Sequence, residues 1–374
     1  MHPSHDGNAH TLRPSTGRAA AAPAHDPRGL GGPVPGHGRR PLWQSVARLG
    51  GLLPAAGAEN PDFRSLLHGR GDPSGRWGAH GSLVRAAGSA GDREGPRFNE
   101  DIPPGGYSWW YVDAISDDGQ HGLTIIAFLG SVFSPYYKAS GREDPLAHCA
   151  LNVALYGPKA RWAMTERGSA AVERDASNLV IGPSSMRWDG DALVIDIVEG
   201  DSRLFVPWQR KVAGTVRVYP EALNRTAFAL DAQENHIWHC LAPRARIEVE
   251  MHEPGISWRG KAYLDHNRGA EPLEQGFNTW HWSRAHLKDG ALVCYEGERG
   301  DGSLFASALR FDAYGVPEPV DLPPIAHLPR SKWQVQRRTR SDIGVAEVRR
   351  TWEDTPFYAR SELASRFAGE EVVA

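Results

Sequence analysis

From residue 98 to residue 367 the chain alternates apolar and polar side chains in short runs, and Asp-Gly pairs break the pattern. Ile247-Glu248-Val249-Glu250-Met251 alternates throughout, and Thr215-Val216-Arg217-Val218-Tyr219 does much the same. A period of two sends successive side chains to opposite faces, the pattern of a half-buried strand. Asp118-Gly119, Asp189-Gly190, Asp289-Gly290 and Asp301-Gly302 lie between such runs. Both residue types tolerate positive φ, so each pair predicts a β-hairpin. Long helical periodicity is absent, and the best helix candidate is the short segment 356–367. The expectation is a mainly β protein built as an antiparallel barrel or sandwich. Its roughly 270 patterned residues suit two β units. The seam is expected near residue 272, at Gly269-Ala270-Glu271-Pro272, giving domains 96–272 and 273–374.

Residues 1–95 have a different texture. They are rich in Gly, Ala, Pro, Arg and His, contain no Lys, and show no sustained apolar period. Such a segment buries too little apolar surface to offset its ordering entropy, so a disordered N-terminal tail is expected. Within it, residues 43–53 have the makings of a short amphipathic turn, read either as a membrane-surface contact or as a stray helix in a loose tail.

Bulk properties exclude several classes of function. With 42 basic and 45 acidic residues the net charge is −3, which gives no general case for a nucleic-acid or strongly acidic partner. Cys149, Cys240 and Cys294 are sparse and odd in number, which argues against a disulfide framework and fits a reducing compartment. The sequence has no apolar run of membrane-spanning length and no signal-peptide pattern at its start, so a soluble or peripheral protein of cytoplasmic topology is expected. Thirteen tryptophans point to an apolar or cation-like guest, or to an aromatic-rich β core.

The chemistry-bearing residues cluster between 236 and 284. In a strand, residues two apart share a face. Tyr263 therefore projects with Asp265, His236 with Trp238, and Trp280 with Trp282 and Arg284. If these strands line one interior or cleft, they form an aromatic pocket around one carboxyl group. Burial among Trp and Tyr disfavours a charged carboxylate and raises its pKa, which suits Asp265 to a general-acid role. The alternative is that Asp265 opens a turn and accepts backbone N–H bonds from Asn267 or Arg268. His236 could serve as a base toward water or fix Asp265 by a hydrogen bond; its alternative is a structural histidine. Trp238 and Tyr263 offer ring faces to a cation, worth about 0.5–2 kcal/mol each, or serve only as core packing. His236, His239, Cys240, His252, His266, His281 and His286 lie close in sequence but in no metal-ligand spacing, so no metal is expected. No nucleotide-binding glycine motif occurs in strand–helix context either, which leaves a cofactor-independent reaction as the simplest expectation.

From residue 98 to residue 367 the chain resembles the carotenoid 1,2-hydratases, also called hydroxyneurosporene synthases. The resemblance rests on Phe98-Asn99-Glu100-Asp101, on Tyr107-Ser108-Trp109-Trp110-Tyr111-Val112-Asp113 and on Phe133-Ser134-Pro135-Tyr136-Tyr137. It continues through Ala150-Leu151-Asn152-Val153-Ala154-Leu155-Tyr156-Gly157 and Trp162-Ala163-Met164-Thr165-Glu166-Arg167. His236-x-Trp238, Tyr263-x-Asp265-His266-Asn267 and Thr355-Pro356-Phe357-Tyr358-Ala359-Arg360 complete it. What it implies is a pair of lipocalin-like β units of the AttH-like kind and a hydro-lyase that needs no cofactor. The implied reaction adds water across the terminal C1–C2 double bond of acyclic carotenoids such as neurosporene and lycopene, toward spheroidene or spirilloxanthin. The family's proposed functional residues fall on His236, Trp238, Tyr263 and Asp265, and Trp280 and Trp282 are candidates for substrate binding. A membrane-stored substrate further implies peripheral contact with the inner, photosynthetic membrane. Two rival functions are a non-catalytic lipocalin-like carrier of hydrophobes and a cyclase or pericyclase on the same scaffold.

Overall fold

The computed structural model describes residues 83–85, 95–200, 210–356 and 358–374. Apart from residues 83–85, the tail up to residue 94 lies outside the described residues, as does the candidate turn at 43–53. The described residues all belong to one compact unit, Pro41–Ala374.

The first strands in chain order are β1 (Leu83–Arg85), β2 (Tyr107–Ser116), β3 (Gly122–Leu129), β4 (Cys149–Tyr156), β5 (Arg161–Arg167), β6 (Val172–Arg174) and β7 (Asn178–Ile181). There follow β8 (Ser184–Trp188), β9 (Leu193–Glu199), β10 (Val212–Pro220), β11 (Thr226–Ala229), β12 (His236–Glu253) and β13 (Ile256–Gly269). Together they make one antiparallel sheet ordered β5-β4-β3-β2-β13-β12-β10-β9-β8-β7-β6, with β11 pairing to β12 and β1 to β11. The sheet curls until its β5 end meets β9, where Arg167 forms two 3.0 Å bonds to the buried Glu199 carboxylate. The result is a nearly closed, lipocalin-like barrel. Among the described residues helix is confined to single turns, among them α1 (Pro135–Ala139) and α2 (Leu273–Gly276).

After α2 come β14 (Phe277–Leu287), β15 (Gly290–Arg299), β16 (Leu304–Phe311) and β17 (Pro317–Pro319), a four-stranded sheet. A hairpin, β18 (Ile325–Leu328) and β19 (Arg337–Arg340), and a three-stranded sheet, β20 (Glu347–Asp354), β21 (Ala359–Phe367) and β22 (Glu370–Val373), complete the chain.

Each Asp-Gly pair lies at a hairpin connection, joining β2 to β3, β8 to β9, β14 to β15 and β15 to β16, with positive φ at Gly119, Gly190, Gly290 and Gly302. The two alternating runs pair with each other, Val216 opposite Val249 and Val218 opposite Ile247. The helix candidate at 356–367 is instead largely strand β21. Leu363 and Phe367, four apart, suit a helix face and a strand face equally. Pairing of β21 with both β20 and β22 selects the strand.

The barrel core draws one face of each strand: Trp110, Val112 and Ala114 from β2 and Ala262 and Leu264 from β13. The opposite face of β2, β12 and β13 is covered by the four-stranded sheet. Trp238, Cys240 and Tyr263 there join Phe277, Val293, Tyr295, Leu309 and Phe311 in a second, aromatic core.

Candidate active site

Asp265 lies inside β13, not in a turn, and points out of the barrel core into the second, aromatic core. The register around it is irregular. His239 pairs with His266 and Ala242 with Leu264, so Cys240 and Leu241 stand opposite Asp265 alone. Ala245 then pairs with Ala262, so Pro243 and Arg244 stand opposite Tyr263 alone. These are successive β-bulges, each bending β12 away from one site residue and re-aiming side chains. Pro243 has no N–H to give to a ladder, which favours a bulge at that point.

Asp265 is 4% exposed. Its Oδ2 accepts from the Tyr263 hydroxyl at 2.8 Å and from Trp238 Nε1 at 3.1 Å, and its Oδ1 from Asn267 Nδ2 at 2.9 Å. Burial pushes its pKa up, the three donors pull it back, and the negative Asp113 nearby adds to the rise, leaving it at about 7. The group is thus poised between acid and carboxylate at neutral pH, where a general acid works best. Tyr263 packs on Trp282 at 5.0 Å between ring centroids, and Trp238 packs on Tyr295 at 5.3 Å.

Asp113, opposite Tyr263 on β2, is the electrostatic contrast. Burial raises its pKa, but Arg360 and Arg284 outweigh that and hold it below the usual carboxylate range. Arg284 Nε and Nη2 reach Oδ2 at 3.0 and 2.6 Å, and Arg360 Nε reaches Oδ1 at 2.7 Å. The two buried carboxyl groups are thus driven apart, Asp265 upward by burial and Asp113 downward by its two arginines.

His236 is 1% exposed and holds no hydrogen bond to Asp265. It pairs opposite Gly269, four residues or about 13 Å along β13 from Asp265. Its Nδ1 lies 2.8 Å from the Tyr107 hydroxyl and its Nε2 lies 3.2 Å from Glu271 Oε1. Burial lowers its pKa, and Asp231 and Glu271 offset part of the drop.

Beside these groups, reached through Asn267 and Tyr107, lies a cavity of about 10 Å³, at the lower limit for one water molecule; Asp265, Tyr263, Trp238 and His236 themselves are not among the residues that line it. Tyr107, Trp109, Asn267, Phe277, Trp280 and Tyr295 line it. Trp280 is 42% exposed at its edge, whereas Trp282 sits deeper, against Tyr263. Burial, with Asp265 nearby, raises the Tyr295 pKa.

The expected residues thus divide. Asp265, Tyr263 and Trp238 form one hydrogen-bonded cluster with Trp282 packed on it, His236 stands apart on the far side of Asn267, and Trp280 lines the cavity. Sequence reasoning did not single out Tyr107, Asp113, Glu271 or Tyr295, and weighed Asn267 only as a turn residue. Extending the period of two from Tyr263 and Asp265 by one step would have found Asn267. His239 and His266 point to the opposite face, with His266 stacked on Trp110 at 4.6 Å. Among the described residues no group of three His, Cys, Asp or Glu side chains could hold a metal ion.

Comparison with known proteins bears on this geometry. An AttH protein of Nitrosomonas europaea shares the fold, with a TM-score of 0.50, 15% identity, and coverage of 78% of this chain and 96% of that one. An acyclic carotenoid 1,2-hydratase of Thiocapsa roseopersicina is 47% identical over 92% of this chain and 86% of its own length. One of Rubrivivax gelatinosus is 45% identical over 95% of this chain and 88% of its own length. The family model for carotenoid hydratase CrtC matches residues 125–374, and the chain belongs to that family.

Proposed function

We propose that this enzyme is an acyclic carotenoid 1,2-hydratase in which neutral Asp265 protonates the terminal alkene. The observation that carries the reading is a buried carboxyl group held by the Trp238 N–H and the Tyr263 hydroxyl in an aromatic core, where burial raises its pKa to about 7. The names of its relatives in the family support the substrate class, an acyclic carotenoid such as neurosporene or lycopene.

Asp265 gives its proton to C2, and a tertiary cation forms at C1. The ring faces of Trp238 and Tyr263 stabilise that cation by about 0.5–2 kcal/mol each. Water attacks C1 with His236 as the final acceptor of its proton, which reaches the ring indirectly because His236 does not line the cavity, and a tertiary alcohol results. Trp280 and Trp282 guide the polyene end, and no cofactor is called for. A polyene terminus does not fit a 10 Å³ cavity. Its wall of Phe277 and Trp280 therefore has to open as substrate enters. We also read the chain as two lipocalin-like units that meet near residue 272, with the site between them.

The substrate is a long apolar rod, so the enzyme collects it by peripheral contact with a membrane. No described helix is long and apolar enough to cross one. Tyr136, Trp280 and Leu304 are large apolar side chains left 60%, 42% and 70% exposed, and supply apolar contact surface.

The test is incubation of the purified protein with lycopene or neurosporene in detergent, without air or added cofactor, in ¹⁸O-labelled water. Mass spectrometry should find product heavier by one labelled water, absent with Asp265→Asn. Substrate binding without product would replace this function with that of a carrier.

A further inference from the structure

His236 is the base of the proposed reaction, yet it does not line the cavity, and both its ring nitrogens are engaged. Tyr107 does line the cavity, and its hydroxyl sits 2.8 Å from His236 Nδ1. On the other side Nε2 meets Glu271, whose side chain is 34% exposed. An ionised carboxylate only accepts hydrogen bonds, so the ring proton belongs on Nε2. Nδ1 is then bare and accepts from the Tyr107 hydroxyl. A continuous line runs from the cavity through Tyr107, His236 and Glu271 to solvent.

We propose that Tyr107 and Glu271 form, with His236, a proton relay that draws the proton of the attacking water out of the cavity to the protein surface. The proposal rests on the hydratase function and adds two residues to it. Asn267 shares the cavity wall; its Nδ2 is committed to Asp265, which leaves its carbonyl oxygen to hold the water.

The balance is as follows. Asp265 gives its proton to C2, and the alkene π pair becomes the new C–H bond. A lone pair of the water oxygen forms the C1–O bond. The water's proton passes to the Tyr107 oxygen while the Tyr107 hydroxyl proton passes to Nδ1. The imidazolium releases its Nε2 proton through Glu271 to solvent, which leaves the Nδ1–H tautomer, and proton exchange with solvent returns the ring to the Nε2–H tautomer before the next turnover. One solvent proton restores Asp265, so the sum is alkene plus water giving alcohol.

The relay needs a neutral imidazole at rest, which the lowered pKa of His236 provides. The titratable groups that face it are Tyr107 from β2, Asp231 from the turn before β12, and Glu271 just beyond β13. Glu271→Gln keeps an acceptor for Nε2–H but removes a charge that favours the imidazolium. Its His236 therefore titrates lower than in the wild type.

The experiment measures kcat and KM against pH, in the labelled-water assay, for wild type, Tyr107→Phe, His236→Gln, Glu271→Gln and Tyr107→Phe combined with His236→Gln. Tyr107→Phe is expected to lose about a hundredfold in kcat with KM little changed. The double variant should lose no more than His236→Gln alone, as members of one unit do. Glu271→Gln should move the acid limb of the kcat profile to lower pH and leave the alkaline limb in place. Wild-type turnover in Tyr107→Phe, multiplied losses in the double variant, or an unmoved acid limb would each overturn the relay. Absence of product from the wild type would instead overturn the hydratase function itself. Glu271 is half-exposed, so its variant decides the matter even if Tyr107→Phe fails to fold.

Discussion

Asp265 carries opposing demands. Three donors favour its carboxylate, and burial favours its acid. In the unfolded chain it titrates near 3.8, in the folded protein near 7. The folded state therefore binds the proton more tightly, and this group's contribution to stability falls as pH rises from about 4 to 7, then stays level. At about 1.4 kcal/mol per unit the loss is on the order of 4 kcal/mol. Asp265→Asn removes the titration, so its stability relative to wild type should climb across that window, as denaturant titration at pH 4 and pH 8 will read. A difference that does not change with pH would show that Asp265 is not the perturbed group. Activity should decline above pH 7, where the acid is lost. Trp238→Phe keeps a ring face but removes a donor to Oδ2. It should cost less activity than Trp238→Ala, and its alkaline limb should shift upward, because a carboxylate with one donor fewer holds its proton to higher pH.

At the scale of elements, the bulges of β12 and the glycines around His236 shape the site. A Cβ at Gly276, in α2, would stand 2.1 Å from His236 Nε2. One at Gly269, at the end of β13, would stand 2.4 Å from Tyr107 Cε1. Both glycines are present so that the strand end and the single-turn helix can close over the histidine. Gly276→Ala is expected to displace the imidazole from Glu271. It should cost about 1–3 kcal/mol by denaturant titration, as overpacking does, together with most of the activity. A fully active Gly276→Ala would show that the His236–Glu271 contact is dispensable.

Across the whole molecule, Asp113 is where three sheets meet: it belongs to β2, Arg284 to β14 and Arg360 to β21. All three side chains are largely buried. Removing the carboxylate strands two guanidinium groups, and breaking a buried ion pair in this way costs about 3–5 kcal/mol. Asp113→Asn should therefore lower stability by that order. It should also move the alkaline limb of activity downward, since Asp113 helps to raise the Asp265 pKa. An unchanged limb would confine Asp113 to holding the sheets together.

Alternation and Asp-Gly pairs made the strands, the hairpins and the mainly β class legible in the sequence, because a period of two and a tolerance of positive φ are local properties. The shared face of Tyr263 and Asp265 was legible for the same reason. Segment 356–367 was misread because a spacing of four satisfies a helix and a strand alike until neighbouring strands choose. Tertiary structure alone decided that the Asp265 face looks out of the barrel toward a second sheet. It alone brought Asp113 within reach of Arg284 and Arg360, and put Tyr107 and Glu271 on either side of His236. Those contacts join residues up to 247 positions apart, and only sheet register and the bulges opposite Tyr263 and Asp265 determine which of them meet.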